Sequence, residues 1–166
     1  VDRSEHFQIE LFQFEAPLAR LLPADYRPCD IGYSRVGFWV QDFDQTLERL
    51  SALGTPPLTA PAGKAGERRV CVRNPEGVFI EVMEDDPLRG RSRDARPACG
   101  VAARSVTLSV ADLEKSKRYF MGALGMPEST AVLRHREHEA LWGLDGASTR
   151  SVVLDAGNVL VELVQY

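Results

Sequence analysis

Two stretches decide the fold: Ser34-Arg35-Val36-Gly37-Phe38-Trp39-Val40-Gln41-Asp42-Phe43-Asp44 and Arg104-Ser105-Val106-Thr107-Leu108-Ser109-Val110-Ala111-Asp112-Leu113-Glu114. Displaced by 70 residues, Val36, Phe38, Val40 and Asp42 fall on Val106, Leu108, Val110 and Asp112. Apolar side chains alternate with others in both, the period of a half-buried strand. The aspartate that follows each strand is placed to cap a helix, because its carboxylate accepts from the free N–H groups of the first turn. Phe43, Leu47, Leu50 and Leu53 then form one apolar stripe that ends at Gly54. Leu113, Tyr119, Phe120, Ala123 and Leu124 form the second, ending at Gly125. Pro56, Pro57 and Pro127 stop both helices. Strand, capped helix and glycine stop occur twice, so the unit is duplicated.

Each unit closes with strands. Arg68–Arg73 and Val78–Met83 flank the turn Asn74-Pro75-Glu76-Gly77, and Arg150–Leu154 and Val159–Val164 flank Asp155-Ala156-Gly157-Asn158. Both turns combine residues that fix φ or tolerate a positive one, a hairpin signal. The unit reads βαβββ, and the fold class is α+β: paired modules forming curved sheets around a cleft, with helices outside. Module one spans 32–84 and module two 102–166. Residues 85–101, rich in proline, glycine and arginine (Arg89, Arg91, Arg93, Arg96), read as a solvated linker. Residues 1–31 hold no complete unit. Phe7–Phe14 reads as a strand, and Ile9-Glu10-Leu11-Phe12-Gln13-Phe14 resembles Val161-Glu162-Leu163-Val164-Gln165-Tyr166. It is expected to be the closing strand of an incomplete upstream module, followed by a connector, pairing within the domain or with a neighbouring chain. The first residue is not Met and Tyr166 directly follows a strand, so the chain reads as a piece of something longer.

Composition narrows the function classes. With 166 residues, about 70% of the unfolded chain's surface can be buried without a disulfide or metal staple. Hydrophobic residues make up 44% and charged residues 27%, which excludes a wholly disordered or collagen-like chain. Twenty Lys and Arg against 24 Asp and Glu give a net charge of −4, so no nucleic-acid partner is expected. No apolar run reaches the roughly 18 residues of a membrane span, and no signal peptide is visible. Cys29, Cys71 and Cys99 are far apart and read as reduced thiols of a cytoplasmic protein.

The closing strands carry an anomaly. Side chains two apart share a strand face. Glu81 therefore lies with Phe79 and Met83, Glu162 with Leu160 and Val164, and Glu10 with Gln8 and Phe12. A carboxylate centred in an apolar strand is costly unless it has a partner or lines a cavity. Three of them at equivalent places favour a polar site on a concave face over three water-facing residues. If Val36, Phe38 and Val40 face the helix, Arg35, Gly37 and Trp39 face that site. Ser105, Thr107 and Ser109 do so in module two.

Paired βαβββ units, strand–Asp–helix–Leu-Gly openings and the closing hairpin Asn-Pro-Glu-Gly-x-x-Ile-Glu resemble the vicinal oxygen chelate superfamily. It includes glyoxalase I, extradiol dioxygenases, methylmalonyl-CoA epimerase and the bleomycin- and fosfomycin-resistance proteins. The resemblance covers 32–84, 102–166 and the strand 6–14. In the metal-using members each module offers a His on its first strand and a Glu or His on its last. It thus implies Glu81 and Glu162 as metal ligands, with Glu10 as the equivalent of the incomplete unit. The first-strand positions are Arg35 and Ser105, and neither is histidine. Guanidinium has no lone pair to give a metal, and serine is a poor ligand for a transition ion. An ion pair of Arg35 with Glu81 is expected in place of the ion, so no cofactor is expected.

Two functions remain open at this point. One is a metal-free small-molecule-binding protein, such as a resistance or sequestration protein, or a remnant module stabilising a neighbour. Its cleft is lined by Arg35, Trp39, Glu81, Ser105, Thr107 and Glu162. There Trp39 stacks on a planar ligand and Arg35 meets a carboxylate or enolate. The other is a divalent-metal enzyme (Fe, Mn, Ni or Zn), an extradiol-type dioxygenase, lyase or isomerase acting on vicinal oxygens, with ligands added from His135, His138, Glu10 or a symmetry-related chain. The stretch Arg134–Glu139 is wholly polar and reads as a solvated loop or strand end; His6 is at an edge. A homodimer, or an assembly through the spare strand, is a further expectation.

Overall fold

The computed structural model describes residues 9–90, 100–133 and 136–166, with no side-chain statement for 136 and 137. His6, His135 and Cys99, and the linker residues 91–99, lie outside the described residues. Module one contains β1 (Gly32–Val40), α1 (Phe43–Ala52), β2 (Arg69–Arg73) and β3 (Phe79–Met83). Module two contains β4 (Val101–Ser109), α2 (Leu113–Lys117) continuing as a π-helical turn Arg118–Ala123, a 3-10 helix Arg136–Trp142, β5 (Arg150–Asp155) and β6 (Leu160–Gln165). The six strands form one mixed sheet in the order β2-β3-β1-β4-β6-β5. Each first strand runs parallel to its own closing strand, and β1 meets β4 antiparallel at the centre. Among the described residues, no helix is long and apolar enough to cross a membrane.

The 70-residue displacement is visible in local detail. Asp42 accepts from the Gln45 N–H at 3.0 Å and Asp112 from the Lys115 N–H at 2.9 Å, the two expected caps. Gly54 and Gly125 follow the helices at φ +79° and +71°, where an L side chain is strained. Val36 pairs with Val106 on β1–β4, and a one-residue bulge lies on each side of that pair, at Ser34 and at Arg104. These two positions are also 70 apart, so the bulges belong to the duplicated unit. The second strand of each unit, the one that follows the helix, is reduced to a single bridge, Ala62 with Arg69 and Glu128 with Leu154.

Both sheet faces are covered. On the outer face, α1 places Phe43, Leu47 and Leu50 against Val40, Val70 and Val82, while α2 and the π turn cover Val152, Leu154, Val161 and Leu163. Val36, Phe38, Val106 and Leu108 are only half-buried, because each helix lies over the outer strands of its own module. The inner face holds the polar set, yet Arg35, Ser105, Thr107 and Ser109 are all buried. Residues 131–133 and 136–142 pack there, with Leu133 on Leu88 and Leu160, and Leu141 and Trp142 on Cys71 and Phe79.

Two stretches depart from the reading of the sequence. Arg136–Trp142 is a 3-10 helix rather than a solvated loop, and His138 and Glu139 are buried. The apolar pair Leu141-Trp142 draws His138 and Glu139 into the interior with it. Residues 9–14 hold no strand, and Leu11, Phe12 and Phe14 are exposed. β1 and β4 are paired on both sides, and the outer sides of β2 and β5 are partly occupied by backbone bonds from Leu58, Ala62 and Ser129.

Close approach at the centre requires one glycine. A Cβ on Gly37 would stand 2.2 Å from Ser105 Oγ and 3.1 Å from Met83 Cε. Gly37→Ala is expected to cost about 1–3 kcal/mol by overpacking. Adding Ser105→Ala removes the oxygen and should return most of it; thermal melts of the single and double variants check this.

Candidate functional site

The site forms because five neighbouring strands aim alternate residues at one face. Register sets Glu81 opposite Gly37 on β1 and Cys71 on β2, and sets Thr107 between Arg35 on β1 and Glu162 on β6. The arginine side chain is long enough to reach both closing-strand carboxylates. Arg35 Nε donates to Glu81 Oε2 at 3.3 Å and Nη2 to Glu162 Oε2 at 2.5 Å. Thr107 Oγ1 donates to the same Glu162 oxygen at 2.9 Å. Arg69 Nη1 donates to Glu81 Oε1 at 3.0 Å and to the Leu133 carbonyl at 2.9 Å. Arg35 is 2% exposed, Glu81 2% and Glu162 0%. Two guanidinium and two carboxylate groups balance, which is what allows four charges to leave water together.

Trp142 closes the site. Its ring lies under the Arg35 guanidinium with Cζ 3.8 Å from the centroid, a cation–π contact in a desolvated place. His138 meets the edge of that ring at a centroid distance of 6.3 Å. Burial, and then the charge of Glu81, pushes the Cys71 thiol up to about 12, so it stays protonated at neutral pH.

Of the residues expected from sequence, Arg35, Glu81, Thr107 and Glu162 meet directly, and Ser105 is buried opposite Gly37. Trp39 lies further along β1, paired with Met83 and Ala102, and donates its indole N–H to the Glu84 carbonyl at 3.2 Å. Trp142 takes the stacking place instead. Glu10 is exposed. Arg69 and Trp142 were not foreseen. Arg69 was legible, since it stands two residues before Cys71 and so shares the face of Glu81. Trp142 was not, because nothing in the local pattern says that Leu141 and Trp142 pack across the sheet.

A divalent ion does not fit this donor set. The two carboxylates expected to bind it face guanidinium groups, and the first-strand positions supply Arg35 and Ser105 rather than imidazole. Among the described residues, no three His, Cys, Asp or Glu side chains cluster so as to hold an ion. The resemblance to metal-using proteins therefore stops at the two glutamates.

A second charge cluster braces the outside of module one. Arg68 donates to Glu84 at 2.8 and 2.9 Å and to Asp44 at 2.8 and 3.1 Å, tying the start of α1 to the end of β3. The Arg68 side chain, then backbone N–H groups of Arg68 and Gly66, holds the Glu84 carboxyl down at about 2 against an ordinary 4.5. A lowered pKa contributes stability that is full above the unfolded value and is lost as pH falls through the folded one. The brace is thus intact above about pH 4.5 and is lost toward pH 2. Glu84→Gln should flatten the acid limb of stability in that window; urea melts between pH 5 and pH 2 read it.

No family model matches the chain, and no curated protein does. Solved structures do. Methylmalonyl-CoA epimerase from Mycobacterium tuberculosis is 21% identical with a TM-score of 0.50, over 81% of this chain and 87% of its own. A Streptomyces coelicolor methylmalonyl-CoA epimerase variant in complex with 2-nitronate-propionyl-CoA is 16% identical with a TM-score of 0.52, over 81% and 96%. A glyoxalase I variant from Zea mays is 18% identical with a TM-score of 0.54, and this chain spans 43% of its length. Identities this low speak for fold and not for activity. The duplicated unit, its centrally paired first strands and its paired closing-strand glutamates give this chain the fold of the vicinal oxygen chelate superfamily.

Proposed function

We propose that this chain is a small-molecule-binding protein on the vicinal oxygen chelate fold that works without a metal. The observation that carries it is Arg35, whose guanidinium lies between Glu81 and Glu162 and supplies from the protein the positive charge an ion would bring. Guanidinium cannot polarise a substrate as an open-sided Lewis acid does, but it recognises acceptor oxygens by directed hydrogen bonds. Arg35 Nη1 is buried and meets no acceptor among the described residues. A carboxylate or enolate oxygen is the partner that suits it.

Elemental analysis and thermal melts test this reading. Protein expressed in metal-replete medium is expected to hold no stoichiometric iron, manganese, nickel or zinc, and EDTA is expected to leave its Tm unchanged. Stoichiometric metal, with a Tm that falls on chelation, would return the chain to the metal-dependent dioxygenases, lyases and isomerases.

A further inference from the structure

The buried charges are not sealed on every side. A groove of about 500 Å³ opens between the turn at 66–67, residues 85–89 and residues 131–132, and Arg69 is the one buried residue in its lining. That volume suits a small ligand. Both side-chain bonds made by Arg69 leave from Nη1, to Glu81 and the Leu133 carbonyl. Its Nε and Nη2 meet no acceptor among the described residues. These two donors form the parallel fork that a carboxylate accepts with both oxygens.

The acids along the groove are already answered by cations. Arg104 holds Asp86 with two bonds of 2.9 Å, Lys64 lies 3.2 Å from Glu67, and Arg89 lies 3.9 Å from Asp85. Arg69 is therefore not committed to them, and Arg89 stands largely exposed at the rim. The geometry points to a binding site for a small carboxylate in this groove, with the Nε–Nη2 edge of Arg69 as its anchor.

The inference deepens the metal-free reading and rests on it, but the two fail separately: bound metal overturns the first, and absent carboxylate binding overturns the second. The experiment is a titration of the full chain with sodium malonate, followed by amide NMR shifts, against sodium chloride at equal ionic strength. Saturable shifts are expected at 66–69, 85–89 and 131–132, and Arg69→Lys, which keeps the charge and loses the fork, should weaken binding roughly tenfold. Should Arg69→Lys melt the fold, Val132→Trp, which fills the groove from an exposed position, must abolish the same shifts. Shifts no larger than those of chloride, or malonate binding unaltered in a folded Arg69→Lys or Val132→Trp variant, would overturn the site.

Discussion

Arg35→Met is expected to lose about 3–5 kcal/mol of stability, because it takes the guanidinium away from two carboxylates, Glu81 and Glu162, in a dry interior. In a chain of this length that is a fall in Tm of roughly 6–20 °C. The cost comes from an uncompensated buried charge and not from lost volume, since methionine fills most of the same space. A second substitution separates the two explanations. Arg35→Met with Glu162→Gln removes one of the two carboxylate charges that lost the guanidinium and should recover about half of the loss or more, a coupling typical of residues in one buried network. If the double variant is no better than the sum of the single ones, the Arg35–Glu162 contact carries no special weight.

Trp142→Ala is the second large effect, again about 3–5 kcal/mol. The indole is 2% exposed, packs with Leu141 on Cys71 and Phe79, and forms the surface beneath Arg35. Truncation empties that space and opens the guanidinium to water. Trp142→Phe keeps an aromatic face and should cost less than half as much. Denaturant melts give the free energies, and iodide quenching offers a direct view: quenching in the parent protein should be dominated by half-buried Trp39, with Trp142 protected. Efficient quenching of a Trp39→Phe variant would show that Trp142 does not lie buried against the sheet.

The contrast between Arg35 and Trp142 shows what a sequence of this kind carries. The duplicated strand and helix, both aspartate caps and both glycine stops are local, so spacing and residue type were enough to read them. Glu81 and Glu162 stood out for the same reason, as charges at positions an apolar strand would otherwise bury. The pairing of Arg35 with Glu81 followed from the module pattern. Its second bond, to Glu162 across two strands, depended on the β1–β4 register, which two bulges adjust by one residue each. The placing of 131–133 and 138–142 was hidden more completely. His138 and Glu139 favour solvent locally and are overruled by Leu133, Leu141 and Trp142, whose burial is decided by a surface distant in sequence. Residues 9–14 show the converse, since an alternating pattern there forms no strand within this chain's sheet.

A crystal structure of the chain grown with a molar excess of manganese, with diffraction recorded at the metal's absorption edge, tests the role of Arg35 most directly. The guanidinium should remain within hydrogen-bonding distance of Glu81 and Glu162, with no anomalous peak between the two carboxylates. An anomalous peak there, with Arg35 swung aside and both glutamates coordinating, would contradict the account.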